Sequence, residues 1–201
     1  MNSRNDHAFA DAAMQRFQAA LLLMAPVPLG EWQWLSSQVS TTSLVNGSYL
    51  YEAGEMPQAL YYLHQGIARF YYITEDGKEF NKAFGRAGEL VGSLMAQVSG
   101  EVCTYYVQAL TPMQVLKIPL RALVALYDRH PCWDRIGRKL AEQAAVRKEV
   151  REREFLLADS LGRYHSFCRR YPDLLGVIAQ KHIASYIGIT EVALSRLLNK
   201  G

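Results

Sequence analysis

Six of the eight glycines from residue 47 to residue 100 stand at turn signals that divide the middle of this chain into segments too short for helices of ordinary length. They stand in the pairs Asn46-Gly47, Ala53-Gly54, Gln65-Gly66, Asp76-Gly77, Ala87-Gly88 and Ser99-Gly100, and after the first interval they recur at roughly a dozen residues. Between and beyond them lie runs dense in aromatic and β-branched side chains: LYYLHQ, IARFYYIT, TYYVQAL and MQVLKI. Such side chains suit a pleated, half-buried surface, and glycine supplies the positive φ that a tight reversal needs. Regular short strands with glycine turns predict an antiparallel sandwich or roll that runs to about residue 118.

Helical patterns flank this region. From Ala8 to Met24 the apolar residues Phe9, Ala13, Phe17, Ala20, Leu21 and Met24 return at three- and four-residue spacing, which predicts a helix with one buried side. A short helix with Trp32, Trp34 and Leu35 is expected after Pro28, and Pro119 opens another that stops at Pro131. From Cys132 to about Leu157 the chain is rich in Ala, Glu, Arg, Lys and Leu with Gly137 as its one breaker, so a long helix is predicted. Ile136, Leu140, Val146 and Val150 on this helix are candidates for a seam with a second copy. Gln143, Arg147 and Glu154 interrupt the heptads, so an exposed connector packed on one side is the competing reading. A shorter helix, about 158–171, ends before Pro172.

Composition excludes several classes. The chain has 201 residues, of which 50% are hydrophobic and 20% charged, which suits one or two globular domains. Its strongest apolar run, AALLLMA at 19–25, is too short to cross a bilayer and follows a start without the basic region of a signal peptide. A cytoplasmic location without a membrane partner is expected. Cys103, Cys132 and Cys168 form no Cys-x-x-Cys pair and the five histidines are scattered, so there is no metal, haem or iron–sulfur signature. No P-loop, catalytic triad or dinucleotide fingerprint is present, and an enzyme is not expected. The net charge of +3 is uneven: residues 1–130 carry 9 basic against 11 acidic side chains, residues 131–201 carry 13 against 8. An anionic partner is therefore expected for the C-terminal third.

The segment QKHIASYIGITEVALSRLLN, residues 180–199, narrows that expectation. Ala184 is small where two helices must approach closely. Gly188 stands where a turn needs a left-handed residue, and Thr190 can cap the second helix through its hydroxyl. Ile183, Ile187, Ile189, Leu194 and Leu197 are spaced to fill the angle between the helices. All eight positions fit a helix-turn-helix, whose second helix enters the DNA major groove. On its outward side Arg196 suits guanine, Glu191 suits cytosine and Val192 suits a thymine methyl, with Ser195 beside them. Lys181, Thr190 and Lys200 are placed for phosphates. An ordinary αα-hairpin for protein contact is the competing reading.

The order of these parts resembles the superfamily of the cyclic-AMP receptor protein and the fumarate-nitrate regulator, the Crp/Fnr superfamily. The resemblance is carried by residues 50–80 (LYEAGEMPQALYYLHQGIARFYYITEDGKEF), 87–94 (AGELVGSL) and 181–200 (KHIASYIGITEVALSRLLNK) and covers nearly the whole chain. It implies an α+β protein. An N-terminal antiparallel β-roll of the double-stranded β-helix or jelly-roll kind, with flanking helices, would be a cyclic-nucleotide-binding-like sensor at 1–130. A long dimerisation helix would follow at 131–157 and a DNA-binding domain at 158–201. The implied partners are double-stranded DNA and a second copy, with RNA polymerase a further candidate; the implied function is transcription regulation. Many members carry a β-hairpin wing. Only Asn199, Lys200 and Gly201 follow the second helix here, and Asp173–Ala179 is short for a hairpin before the motif, so a wingless reader that depends more on dimerisation is expected.

In nucleotide-binding members a Gly-Glu-Leu turn precedes an Arg-Ser or Arg-Thr pair, with Glu on the ribose and Arg on the cyclic phosphate. Here the corresponding residues are Gly92, Ser93 and Leu94, then Cys103 and Thr104. Using Gly88-Glu89-Leu90 restores the Glu but lengthens the interval and still gives no Arg. These five residues are the expected pocket walls, and a buried phosphate without a cation is strongly disfavoured. Cyclic AMP is thus not the expected effector, whose identity stays open. Titration calorimetry with cyclic AMP is expected to show no submicromolar binding; a submicromolar affinity would overturn this.

Overall fold

The computed structural model describes residues 3–93 and 99–199, with side chains from Phe9 onward. Two helices, α1 (Ser3–Leu22) and α2 (Leu29–Gln38), precede eight strands. These are β1 (Ser40–Leu44), β2 (Tyr49–Tyr51), β3 (Ala59–Gln65), β4 (Ala68–Ile73), β5 (Glu79–Gly85), β6 (Leu90–Val91), β7 (Tyr106–Ala109) and β8 (Met113–Pro119). Five helices follow: α3 (Leu120–Tyr127), α4 (Cys132–Leu157), α5 (Ser160–Arg170), α6 (Gln180–Ile187) and α7 (Glu191–Leu198), with a 3₁₀ turn at Pro172–Leu174 between α5 and α6. The class is α+β, as expected. All six turn glycines named from the sequence have positive φ.

The strands form two four-stranded sheets, in the orders β1-β8-β3-β6 and β2-β7-β4-β5. β8 lies antiparallel between β1 and β3, with Thr42 opposite Val115 on one side and Leu60 opposite Ile118 on the other. The register of β3 against β8 shifts between Leu63 and Gln65, a bulge that bends the strand. Side-chain alternation explains why this pair is central. Met113 and Val115 of β8, with Leu63 of β3, join an interior of Tyr51, Ala68, Val107 and Ala109 from the second sheet. Leu116 and Ile118, with Tyr62 of β3, face the opposite way and pack with Phe9, Ala13, Phe17 and Leu21 of α1. Both faces of β3 and β8 are therefore buried, and a one-residue slip would exchange the two sets.

Two compact units result. The first comprises residues 1–70 and 84–140, and the second 71–83 and 141–201. The boundary cuts α4 after Leu140 instead of setting it apart as a segment of its own, and the turn joining β4 to β5 belongs with the C-terminal helices. In the first unit the Glu31 carboxylate of α2 accepts from Trp133 Nε1 at 2.9 Å and from Arg129 Nε at 3.0 Å. The Trp133 hydrogen bond, then the Arg129 guanidinium, holds Glu31 below the usual carboxylate range.

That anchorage corrects one expectation. Ile136 is 4% exposed and packs with Cys132 and Trp133 against the α1 residues, and Leu140 packs on the same cluster. Ile136 is thus committed to the core of its own protomer, while Leu140, at the edge of that cluster, is only half-buried. Val146, by contrast, is 58% exposed, and Val150 is half-buried. Among the described residues no helix is long and apolar enough to cross a membrane.

Gly66 turns β3 into β4 with φ +98°, where a Cβ would lie 2.6 Å from the Pro112 carbonyl oxygen and 2.9 Å from Met113 Cα. The backbone cannot withdraw as a side-chain tip could. Gly66→Ala is expected to destabilise the protein by more than the ~1–2 kcal/mol of left-handed strain alone, measured as a fall in the urea midpoint.

Candidate nucleic-acid interface

Helices of eight residues are marginal by themselves, so α6 and α7 must be shaped by their junction and their surroundings. Gly188 ends α6 in the left-handed region (φ 78°, ψ 35°), and the Ile189 N–H donates back to Ala184 O at 3.0 Å. Phe155 packs directly on this turn: a Cβ on Gly188 would lie 2.9 Å from its Cε1. Thr190 then starts α7, its Oγ1 accepting from the Ala193 N–H at 3.1 Å. Ala184 (1%), Ile187 (1%), Ile183 (5%) and Leu194 (0%) are buried between the helices, with Ile189 and Leu197 half-buried at the margin. No strand lies between α5 and α6.

The floor beneath the pair is aromatic. Phe167, Tyr171 and Tyr186 form a triangle with centroid distances of 5.4, 5.5 and 5.7 Å. Arg170 donates to the Tyr186 hydroxyl at 2.7 Å and to Glu154 at 2.8 Å. The open carbonyls at the end of α6 are taken by two further arginines. Arg163 Nε donates to Ile187 O at 2.7 Å while its Nη1 donates to Ala158 O at 2.7 Å. Arg151 Nη2 donates to Tyr186 O at 3.0 Å, and its guanidinium lies 3.9 Å from the Tyr186 ring centre. A helix C-terminus leaves such groups unpaired and partially negative, and cations suit them. Part of the basic excess in the C-terminal third thus has its hydrogen-bond donors taken up by internal structure and is not free to touch an anionic partner directly. Net charge alone could not distinguish the two uses.

The expected reading residues lie on the opposite side of this packing. Glu191, Val192, Ser195 and Arg196 of α7 are exposed, Val192 at 60%, as are Thr190 and, on α6, Lys181. Lys200 lies outside the described residues. The four α7 positions share a face at helical spacing, while Leu194 alone of the helix is fully buried. The result is a polar and charged face with one exposed valine, borne on a helix capped at Thr190 and buried at Leu194.

Residues 71–83 were not foreseen as part of this site. The Asn81 N–H donates to Ser185 Oγ at 2.9 Å, and Ser185 Oγ donates to Glu79 O at 3.0 Å. Asn81 Nδ2 donates to His182 O at 2.9 Å. These partners are more than a hundred residues apart in the chain, and no local spacing announces them.

The expected ligand pocket is less open than its sequence suggests. Ser93 is 1% exposed and Gly92 half-buried, its carbonyl accepting from the Tyr105 hydroxyl at 3.0 Å. Cys103 is fully buried; its thiol donates to Tyr105 O at 3.2 Å and its N–H to Glu55 O at 2.8 Å. It lies in the packed interior with Tyr51, Tyr105 and Val107. Thr104 is exposed, and Leu94 lies outside the described residues. Around Cys103 the interior is aromatic, with Tyr51 against Tyr61 at 5.5 Å and Phe70 against Tyr105 at 5.9 Å. Burial pushes the Tyr51 phenol far above its ordinary range, and its hydroxyl donates to Ala59 O. His64 packs on Phe9 at 5.4 Å, and burial lowers its pKa. Among the described residues no group of three or more His, Cys, Asp or Glu side chains could hold a metal ion.

Comparison with known proteins agrees with this architecture. Residues 41–130 match the family model described as the cyclic nucleotide-binding domain. The fumarate and nitrate reduction regulatory protein of Salmonella typhi is 30% identical over 167 residues, 77% of this chain and 65% of that protein. Its counterpart from Vibrio cholerae is 35% identical over 85 residues, 42% of this chain and 33% of that protein. The chain thus spans at most about two thirds (65%) of the length of these curated relatives. In fold it is similar to FixK2 from Bradyrhizobium japonicum, with a TM-score of 0.69, 20% identity, and 81% of this chain and 83% of that one covered. The Thermus thermophilus catabolite activator protein gives a TM-score of 0.55 at 21% identity, with 89% and 85% covered.

Thr190→Ala removes the cap of α7 and is expected to cost about 1 kcal/mol. The check is a lower thermal midpoint together with faster amide exchange in residues 191–198.

Proposed function

We propose that the chain is a Crp/Fnr-type, sequence-specific DNA-binding transcription regulator that works as a homodimer, a reading supported by its match to the cyclic nucleotide-binding domain and its similarity to fumarate and nitrate reduction regulatory proteins. The observation that carries this is the exposed face of α7, presented by a helix that is capped at Thr190 and buried at Leu194. In the usual docking the N-terminal part of such a helix meets base edges in the major groove. Arg196 takes guanine through a bidentate pair, Glu191 accepts from a cytosine amine, Val192 touches a thymine methyl, and Ser195 lends a hydroxyl. Lys181, Thr190 and Lys200 contact phosphates and set register without reading sequence.

The functional division is a sensor at 1–130, a connecting helix at 131–157 and a reader at 158–201. Pairing of two copies falls to the later part of the connecting helix, where Val146 and Leu157 are exposed. Two readers held together bind two half-sites and gain avidity that neither has alone. The buried Cys103 thiol, where the resemblance would place a phosphate-binding arginine, favours an effector other than a cyclic nucleotide, or none. We place the protein in the cytoplasm, assign it no catalytic step, and regard RNA polymerase as a further candidate partner.

Selection from random duplexes is expected to return a two-fold symmetric site; no binding even at low salt would reject the reading and leave the helical hairpin as a protein contact. Arg196→Ala is expected to cost about 1–3 kcal/mol and to relax preference at one base position. Uniform weakening across all sequences would instead mark Arg196 as a phosphate contact.

A further inference from the structure

We propose that Asn81 and Arg151 are positioning residues that fasten the first helix of the helix-turn-helix to the 71–83 hairpin, and so hold the recognition helix in the orientation that reads bases. The hairpin is short and tightly closed, with the Gly77 N–H donating to Thr74 O at 2.8 Å and the Thr74 N–H to Lys78 O at 3.0 Å. Its returning strand meets α6 through a set of bonds that interlock. The Asn81 N–H donates to Ser185 Oγ, that hydroxyl donates onward to Glu79 O, and Asn81 Nδ2 donates to His182 O. Arg151 closes the set from the long helix: one nitrogen, Nη2, reaches Asn81 O at 3.2 Å and Tyr186 O at 3.0 Å. Its guanidinium is held over the Tyr186 and Phe155 rings, 3.9 and 4.7 Å from their centres. A single side chain therefore binds the hairpin and the carbonyl end of α6 together.

Three features make this a clasp that can be opened. It is polar, so opening exposes little apolar surface. It leaves Asn81 Oδ1 without a hydrogen-bond partner although Asn81 is only 3% exposed, a desolvation cost that water would relieve on release. It also touches α6 at residues 182–186 and leaves the exposed face of α7 uncovered. The hairpin is continuous at Phe70 and Phe84 with the first compact unit.

A loosened reader keeps its basic charge and loses its fixed orientation. Non-specific binding depends on charge, and base readout depends on geometry, so the two respond differently. The inference rests on the DNA-binding function proposed above, and the test separates the two. In the full-length chain, Asn81→Ala and Ser185→Ala are compared with Lys78→Ala, which removes an exposed ion pair on the same hairpin. Hydrogen exchange on the free protein is expected to rise at residues 79–83 and 180–187 together in the first two variants. It should stay unchanged there in Lys78→Ala, and unchanged in β3 and β8 throughout. Affinity for the selected site is expected to fall about tenfold, with non-specific affinity at the same salt changed less than twofold. The Asn81→Ala/Ser185→Ala double variant should be no worse than either single one. Exchange at 180–187 that does not respond, or specific and non-specific binding that fall in parallel, overturns the clasp while the parent still binds its site. A parent without a preferred site overturns the DNA-binding function instead, and the positioning role with it.

Discussion

A pair of eight-residue helices has too few internal hydrogen bonds to hold its own shape in water, and the second unit is organised around that weakness. Gly188 sets the angle between α6 and α7, Thr190 secures the start of α7, and Ile187 and Leu194 fill the crevice. The exposed carbonyl end of α6 is closed by arginines from α4 and α5, and Phe155 leans on the turn. The exposed face of α7 is regular because everything beneath it is held from outside. In the first unit, short strands meet a similar difficulty by a different route, with β3 and β8 covered on both faces by apolar side chains.

How far the sequence reveals this depends on the range of the interactions. Glycine turns, the bounds of α4 and the helix-turn-helix are local features, set by backbone conformation and by spacing within a few residues, and they could be read directly. Ile136 could not be placed in the same way. Its heptad position fits a seam between two copies and an intrachain core equally well, and the partner that decides is α1, more than a hundred residues earlier. The Asn81–Ser185 bond spans 104 positions between two ordinary polar residues, which no pattern distinguishes from surface. Cys103 lies between these cases. The missing arginine was legible from the motif, but that the thiol is enclosed by Tyr51, Tyr105 and Val107 needed the fold.

The interior of the roll bears on what kind of guest it could admit. It is lined by rings whose hydroxyls are already engaged with backbone carbonyls, Tyr51 with Ala59 and Tyr105 with Gly92. A guest competing for those donors would have to break bonds that the strands themselves use. Small apolar or weakly polar molecules face a lower barrier there than anions do.

Arg151 and Arg163 have one further consequence. Their acceptors are carbonyl and hydroxyl oxygens, not carboxylates, so no bonded carboxylate offsets either guanidinium where it lies half-buried beneath α6 and α7. Held in a medium less polarisable than water, such charges project their field farther than lysines on flexible stems. They would draw a polyanion toward the exposed helix from a distance without touching it. Because they displace no counterions from a phosphate, they would speed encounter and add little to the number of ions released on binding.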